Sequence, residues 1–416
     1  MVPKGTVLVE CGKMLEKGGY VIKSLNTINF RKSMHYNPFS YIRSEKDILK
    51  LVNTIIVNTK GDGDKSGEDF WVKAEKLYYT ALIGYIWYEA PDHEKNFTTL
   101  LEMINASEAR EDDETFKNPV DVMFDELEAR DPDHFAVKQY RKYKLAAGKT
   151  AKSILVSAAV RLAPFNLPQI KAVTDHDDMD LYTLGERKCA LYAVIPDNDT
   201  TFTFLVSLLY SQIFQTLYYC ADQIHHGALP CHVHFILDEA PSVNLPGLPR
   251  ELATMRSRNI SCSTIIQNMA QIKELYKDSW ETIPGNSDTL LYLGGNEAST
   301  HKYISEALGK STIDTKTHGQ TKGRSGSYST NFQISGRELL TPDEVRMLDN
   351  RYCILFIRGT RPVMDEKYEL MEHPAIRYTM DGGGPPYIHH GTAEPPIPGE
   401  PLFQTDFDNE KENAAA

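Results

Sequence analysis

Short apolar runs alternate with longer stretches of helical periodicity from residue 185 onward. The apolar runs end in turn-forming residues, as expected of buried strands. They cover residues 189–195, 232–237, 260–266, 289–293 and 352–357. The helical stretches cover residues 200–222, 248–256, 269–276 and 299–308. Because strands and helices alternate, the pattern predicts an α/β fold in which a mostly parallel sheet has helices on both faces.

The other segments predict how this sheet is divided along the chain. Residues 1–66 are interpreted as an outlying, amino-terminal part of the sheet domain. Residues 67–183 show helical periodicity without a convincing strand, which predicts an inserted all-α domain. Residues 184–375 carry the remaining strands and a hairpin at residues 314–338. The Gly- and Pro-rich composition of residues 376–416 predicts a disordered tail.

The composition narrows the class of protein. A chain of 416 residues with 41% hydrophobic and 25% charged residues is typical of a core-forming protein of about two or three domains. Its six cysteines stand far apart without a CxxC motif, which argues against a zinc site or a disulfide framework and favours a reducing compartment. The formal net charge of −12 argues against a protein that binds nucleic acid with its whole surface.

One long uncharged run covers residues 200–221. It is long enough to span a bilayer, but its many Thr, Ser and Gln residues favour a buried helix. The amino terminus lacks the charged and apolar pattern of a signal peptide. The sequence therefore predicts neither secretion nor a transmembrane segment.

A basic block lies inside the predicted all-α domain. Its members, which follow one another without an intervening acid, are Lys138, Arg141, Lys142 and Lys144. An acidic stretch precedes it at residues 108–133. Each block is typical of a solvated helix face. The basic block alternatively binds an anionic partner such as DNA, and the sequence leaves both interpretations open.

The sharpest candidate for chemistry is the acidic pair Asp238 and Glu239, which follows the apolar run at residues 232–237. In a nucleotide-hydrolysing sheet domain, an Asp at the end of such a strand holds Mg²⁺ through water, and the following Glu polarises the attacking water. An acidic pair that closes a strand is also common as a turn or a helix cap. The pair alone is therefore weak evidence for an active site.

Three further residues near this pair suit the same chemistry. Gln267 follows the next predicted strand, at the sheet edge where ligands of open α/β folds bind, and can position water or sense a terminal phosphate. Its alternative role is to cap the helix that begins near residue 269. Arg256 and Arg258 end the intervening helix. Arginine suits transition-state charge, although basic residues in a last helical turn also stabilise the helix dipole.

No segment of the sequence qualifies as a phosphate cradle. A P-loop requires GxxxxGK[ST] between a strand and a helix, because backbone amides and one lysine must surround the phosphates. Gly309, Lys310 and Ser311 match only the end of that motif, and the residues before them are predicted to be helical. Residues 61–66 carry two acids where bare amides are needed.

Six short motifs, taken as an ordered set, resemble one known family. They are HFILDEA at residues 234–240, LATMRSR at 252–258, IIQNMAQ at 265–271, NSD at 286–288, YLGGN at 292–296 and ISEALG at 304–309. The set is similar to the conjugative coupling proteins of type IV secretion, the TraG/TraD-like DNA-transfer ATPases. The resemblance covers residues 3–375, including the helical insertion.

This resemblance implies a RecA-like motor domain, interrupted by an all-α domain, that uses ATP and Mg²⁺. It implies a homo-hexamer around a DNA path, which recruits the relaxosome and its relaxase to a type IV secretion channel at the cytoplasmic side of the plasma membrane. It assigns Mg²⁺ to Asp238, water polarisation to Glu239 and a sensor role to Gln267. Arg256 or Arg258 becomes the charge-stabilising arginine.

The sequence departs from the family near its start. Family members carry transmembrane helices and a P-loop there, and they have an Asp where this chain has Val2. We therefore expect an amino-terminally truncated, cytoplasmic form with negligible ATP hydrolysis and an exposed apolar side of its sheet. The alternative function is a non-hydrolysing docking module for relaxosome proteins or DNA. The long helical insertion disfavours a translocase of chromosome segregation or packaging.

Overall fold

A computed structural model describes residues 1–59, 70–108, 116–146, 148–320 and 328–389. The helices are α1 (Thr6–Lys17), α2 (Glu45–Asn58), α3 (Phe70–Glu89), α4 (Phe97–Ala106), α5 (Pro119–Arg130), α6 (Phe135–Lys144), α7 (Gly148–Arg161), α8 (Pro168–Thr174), α9 (Thr203–Tyr219), α10 (Leu248–Thr254), α11 (Met269–Tyr276), α12 (Thr282–Gly285), α13 (Ala298–Leu308) and α14 (Pro342–Arg346). The strands are β1 (Val2–Pro3), β2 (Val21–Asn26), β3 (Cys189–Ile195), β4 (Val233–Leu237), β5 (Ile260–Thr264), β6 (Thr289–Tyr292), β7 (Lys310–Gln320), β8 (Tyr328–Glu338), β9 (Tyr352–Ile357) and β10 (Val363–Glu366).

Parallel strands form the sheet of the first compact unit, which contains Met1–Ile265 and His373–Ala416. β3 pairs in parallel with β2 on one side and with β1 on the other. β4 pairs in parallel with β5. The Met1 nitrogen donates a hydrogen bond to the Ile236 carbonyl oxygen, 2.9 Å away, and so connects β1 to β4. These pairings confirm the predicted α/β fold with parallel strands.

Helix α9 covers one face of the β4–β5 pair. Phe235 and Leu237 are buried on that face, and the Phe235 ring stacks on Phe214 of α9 with ring centroids 4.4 Å apart. Alternate residues of a strand face opposite sides of a sheet. Ile236 therefore lies on the other face, where it is 57% exposed.

Every element that the structure describes between residues 70 and 183 is helical. α3 packs against α2, α6 and α7, and its Tyr78 side chain is fully buried. Between α5 and α6, the rings of Phe124 and Tyr140 stack with centroids 3.9 Å apart. The predicted all-α insertion is therefore confirmed for the described part of this segment.

The compact units do not follow the predicted domain boundaries. The helical segment shares the first unit with the parallel sheet, and the second unit is Ile266–Glu372. One physical reason is that α3 packs on α2, and that Arg161 Nη1 of α7 donates to the carbonyl oxygens of Ile56 and Thr59 at 3.4 and 3.0 Å. The predicted boundary at 183/184 thus falls inside the first unit. The boundary at 66/67 lies outside the described residues.

The second unit contains an antiparallel sheet and a long hairpin. β9 pairs antiparallel with both β6 and β10, whereas the strand and helix alternation predicted parallel pairing for β6 and β9. The loop from Ile357 to Val363 is too short for the crossover that a parallel β9–β10 pair needs. β7 and β8 form the predicted hairpin. The core of this unit is built from Tyr292, Ile304, Val345 and Ile354.

The long uncharged run forms α9, and most of its residues are buried. The interpretation of this run as a buried helix is therefore confirmed. Within the described ranges, none of the helices combines the length and the apolar character needed to cross a membrane.

Part of the predicted tail is ordered. Residues 376–389 lie against α1, where the Tyr387 amide donates to the Val9 carbonyl oxygen at 2.8 Å. The Tyr387 ring is so close to Gly12 that a Cβ at that glycine would lie 2.4 Å from it. The prediction of a disordered tail is therefore wrong for this stretch. Its large Tyr387 ring packs against α1, and a contact of this kind cannot be predicted from composition. Residues 390–416 lie outside the described residues.

Tyr387→Ala is expected to lower the free energy of unfolding of the first unit by about 3 kcal/mol, because it removes a buried ring and leaves a cavity beside α1. Tyr387 is only 8% exposed. Chemical denaturation followed by circular dichroism measures the loss. Tyr378→Ala, which changes an exposed tyrosine of the same segment, is the control. Equal losses for both variants would contradict an anchoring role for Tyr387.

Candidate active site

Asp238 and Glu239 lie at the carboxyl end of β4, and both are half-buried. Two backbone hydrogen bonds extend the pairing beyond β5: the Ile265 amide donates to the Leu237 carbonyl oxygen, and the Ala240 amide donates to the Ile265 carbonyl oxygen, both at 3.0 Å. These bonds fix the backbone on either side of the acidic pair. Both carboxylates therefore occupy a defined position at the sheet edge while remaining accessible to solvent.

Glu239 has a left-handed backbone conformation, with φ of 50°. This conformation is uncommon for residues other than glycine, and it recurs at functional sites. Glu239 begins a short 3-10 turn, Ala240–Ser242, but its side chain does not cap that turn. The Glu239 carboxylate therefore does not act as a cap, and this favours a role for it outside the turn.

A second charged pair at the same edge was missed from sequence. Lys4 follows β1 and Asp197 follows β3, and Lys4 Nζ lies 2.9 Å from Asp197 Oδ2. Lys4 and Gly5 both have positive φ, at 57° and 72°. The carboxyl ends of parallel strands meet at one sheet edge, so Lys4 belongs to the edge that carries Asp238. A Pro-Lys-Gly turn directly after a strand was the available signal.

Arg258 is held by contacts within its own chain. Its Nε and Nη2 donate to the two carboxylate oxygens of Asp222 at 2.8 and 2.7 Å, and its guanidinium stacks over the Tyr218 ring, 4.4 Å from the centroid. Hydrogen bonding to Asp222 raises the pKa of Arg258. Arg256 is instead exposed. Of the two arginines, Arg256 is therefore the one whose side chain extends into solvent.

The two arginines lie at the wrong end of β5 to meet the acidic pair of the same chain. Arg256 and Arg258 precede β5, whereas Asp238 follows the parallel strand β4. β5 has 5 residues, and a strand rises about 3.3 Å per residue, which separates the two edges by roughly 17 Å. An arginine at the amino-terminal edge can therefore reach only a ligand that another molecule carries.

Gln267 is the second residue of the second unit and is exposed. The cap of α11 is its neighbour Asn268, whose side-chain oxygen accepts a hydrogen bond from the Gln271 amide at 3.1 Å. The capping role that the sequence allowed for Gln267 therefore belongs to Asn268.

His234 of β4 and His232, which directly precedes β4, are exposed and hydrogen-bonded to serines of β5. His234 Nδ1 lies 2.5 Å from Ser261 Oγ, its Nε2 lies 3.0 Å from Ser263 Oγ, and His232 Nε2 lies 2.9 Å from Ser261 Oγ. Burial lowers the pKa of His234, and the nearby His232 adds to this effect. Both rings thus link β4 and the residue before it to β5 through side-chain hydrogen bonds.

The basic block pairs with the acids that precede it. Lys138 Nζ lies 2.9 Å from Asp133 Oδ1, and Lys144 Nζ lies 2.9 Å from Asp121 Oδ1. Arg141 is bonded to Glu128, and Lys142 is exposed. Because α5 supplies opposite charge to α6, the geometry favours the solvated-face interpretation over an anion-binding surface.

The glycine and lysine that resembled the end of a P-loop occupy a different structure. Gly309 terminates α13 with φ of 80°, and Lys310 begins β7. A phosphate cradle needs its glycines before a helix, where amides point at the ligand. The conclusion that this segment is no cradle is thereby confirmed. The other candidate, residues 61–66, lies outside the described residues.

A family model described as Type IV secretory system Conjugative DNA transfer matches residues 2–377. The chain belongs to this family. Relatives include VirD4 of Rhizobium radiobacter, 26% identical over 249 residues, which are 59% of this chain and 34% of that protein. TraG of the same organism is 28% identical over 136 residues, which are 31% of this chain and 21% of that protein. The matched segments thus span about a third or less of these relatives.

Solved structures of the bacterial conjugative coupling protein TrwB have the same fold. The unbound form aligns with a TM-score of 0.61 at 17% identity, covering 90% of this chain and 79% of that chain. The form bound to a non-hydrolysable ATP analogue aligns with a TM-score of 0.60 at 16% identity, covering 90% and 80%. The form with ADP and Mg²⁺ aligns at 0.61 and 17%, covering 90% and 79%. At these identities the similarity shows a RecA-like α/β fold.

Arg258→Ala is expected to lower the free energy of unfolding by about 1 kcal/mol, since it removes a partly exposed bidentate ion pair and a stacked contact. Arg256→Ala, two residues away and exposed, is the matched control and is expected to leave stability unchanged. Urea denaturation measures both. A stable Arg258→Ala variant would show that the Asp222 pair is not structural.

Replacing Lys138, Arg141, Lys142 and Lys144 by glutamine is expected to leave the salt dependence of any DNA binding unchanged, because three of the four are paired with acids of α5 and of the loop that follows it. Fluorescence anisotropy with duplex DNA at several salt concentrations gives the slope of log affinity against log salt. Four lost phosphate contacts would reduce the magnitude of that slope by about 3.6. A reduction of that size would show that the basic block binds DNA.

Proposed function

We propose that this chain is the motor and substrate-recruitment part of a type IV secretion coupling protein, which couples ATP hydrolysis to conjugative DNA transfer. The observation that carries the proposal is the accessible acidic pair at the carboxyl end of a parallel strand. Family membership supports the biological setting. The partners in that setting are the relaxosome, the transferred DNA and a type IV secretion channel at the cytoplasmic side of the plasma membrane.

In this proposal, Asp238 holds Mg²⁺ through water and Glu239 polarises a water molecule. Carboxylate oxygens are suitable ligands for a hydrated Mg²⁺, and the half-exposed Asp238 leaves room for water. Gln267 is the proposed sensor of a terminal phosphate, which is the role that the family resemblance implies for it, and the residue is exposed. Bound Mg²⁺ supplies charge neutralisation to a nucleotide triphosphate.

The charge-stabilising arginine in this proposal is Arg256, acting on a neighbouring copy. The bidentate contact of Arg258 with Asp222 favours Arg256 over Arg258 for this role. Because Arg256 lies at the opposite sheet edge from Asp238, an arrangement in which copies follow one another head to tail brings the two edges together. A closed ring of this kind is consistent with the proposed homo-hexamer.

The residues of this chain fit the metal side of a nucleotide site but not its phosphate side. Asp238 and Glu239 offer oxygens, whereas no segment of the printed sequence contains GxxxxGK[ST]. Catalysis of phosphoryl transfer depends on positioning and electrostatic stabilisation of the phosphates. We therefore assign no hydrolytic step to the chain as it stands.

The chain of 416 residues is expected to hydrolyse ATP at the background rate, with no difference between the parent, Asp238→Ala and Glu239→Ala. A coupled phosphate-release assay measures turnover, and Asp278→Ala, which removes an exposed acid elsewhere, is the control. If the parent turned over ATP well above background and both site variants abolished that turnover, the expectation of an inactive chain would be wrong. In a form extended at its amino end by a GxxxxGK[ST] segment, hexamers that require ATP and turnover that requires Glu239 would support the motor proposal.

A non-hydrolysing docking module is the second candidate. This candidate rests on the helical segment, which is separate in sequence from the acidic pair and packs around its own core of Tyr78, Phe124 and Tyr140. Binding of relaxosome proteins that is identical in the parent and in Asp238→Ala, together with the absence of ATP-dependent assembly in the extended form, would favour this candidate over the motor.

A further inference from the structure

Two histidines and an aspartate that are distant in sequence meet where the helical segment returns to the sheet. His35 lies after β2, while His176 and Asp178 lie in the loop after α8. His35 Nδ1 is 2.6 Å from Asp178 Oδ2, and His176 Nε2 is 3.7 Å from Asp178 Oδ1. The Asp178 amide donates to the His35 carbonyl oxygen at 3.1 Å, which holds the loop in place.

The possible ligand atoms of these three side chains lie close together. One ligand atom from each of His35, His176 and Asp178 can be chosen so that all three lie within 4.8 Å of one another. Among the residues that the structure describes, these form the one group of three His, Cys, Asp or Glu side chains with this property. The two imidazole rings lie with centroids 3.8 Å apart. His232 and His234, in contrast, are engaged with serines.

The loop concentrates negative charge beside the histidines. Residues 175–180 contain four aspartates. The Asp177 carboxylate accepts hydrogen bonds from the Tyr41 hydroxyl, at 2.5 Å, and from the Asp180 amide, at 2.9 Å, so it is committed to holding the loop. Asp175 Oδ2 lies 3.7 Å from His176 Nδ1 and adds charge near the same ring. Such a surrounding favours a bound cation over a neutral ligand.

We propose that His35, His176 and Asp178 form a binding site for a transition-metal dication of the Zn²⁺ class. Two imidazole nitrogens and one carboxylate oxygen are a donor set that suits Zn²⁺ and Co²⁺ and leaves a position for water. Mg²⁺ prefers oxygen ligands throughout, so this site is chemically distinct from the one proposed at Asp238.

Binding requires only small displacements of the donors, and the metal then replaces the hydrogen bond between His35 and Asp178. With ligand bonds of about 2.0–2.2 Å, donor atoms of a tetrahedral site lie about 3.3 Å apart. The His176 side chain is 56% exposed, which leaves it room to turn toward His35 and Asp178. His35 is buried and therefore supplies the fixed ligand. The metal links the segment after β2 to the loop that ends the helical segment.

The full chain, stripped of metal with a chelator, tests this site. Isothermal titration with Zn²⁺ is expected to show one site per chain, Co²⁺ is expected to give the visible absorption of tetrahedral coordination, and Zn²⁺ is expected to raise the melting temperature. Mg²⁺ at equal concentration is expected to produce none of these effects. Zn²⁺ that binds without saturation, or that gives no change in melting temperature, would overturn the proposal.

Variants separate this site from adventitious binding by other histidines. His176→Ala and Asp178→Asn are each expected to weaken Zn²⁺ binding by at least about tenfold. His93→Ala, in which a histidine side chain that is 79% exposed is removed elsewhere, is expected to bind as the parent does. Because His176 is exposed, its variant retains the fold, which circular dichroism verifies. Equal affinity of His176→Ala and His93→Ala would show that the contacts are only a hydrogen bond and a ring stack.

Discussion

The position of the acidic pair depends on the register in which β4 pairs with β5 and packs on α9. Phe235 and Leu237 are buried against the helix side, and the pleat then places Ile236 and Asp238 on the opposite face. A shift of one residue would exchange the two faces and expose both buried side chains. The burial of two apolar residues therefore determines where the carboxylates lie.

The strands could be located from sequence because buried strands are continuous apolar runs between turn residues. β3 and β9 have the bounds that the apolar runs predicted. Strand direction could not be obtained in this way, since the pattern is the same for parallel and antiparallel neighbours. The antiparallel pairing of β9 in the second unit and the ordered stretch around Tyr387 both depend on contacts between residues far apart in the chain.

The residues of the candidate site, like the strands, could be predicted from sequence only where a local pattern marks them. Asp238 and Glu239 follow a strand directly, so a local pattern was enough to select them. The structural role of Arg258 was not visible, because its partner Asp222 is 36 positions away. His35 and Asp178 are 143 positions apart and come together only through the return of the helical segment. Pairs of this kind carry no local signal, whatever their chemistry.

The contacts that hold this return onto the sheet are polar and buried. Lys23 of β2 donates to the carbonyl oxygens of Met179 and Asp180, and Tyr41 donates to Asp177. Burial lowers the pKa of Lys23 and raises that of Asp177, so each group is in surroundings that disfavour its charge. Such contacts add little net stability, but any arrangement that leaves one of them unpaired is costly. They therefore specify one orientation of the helical segment on the sheet.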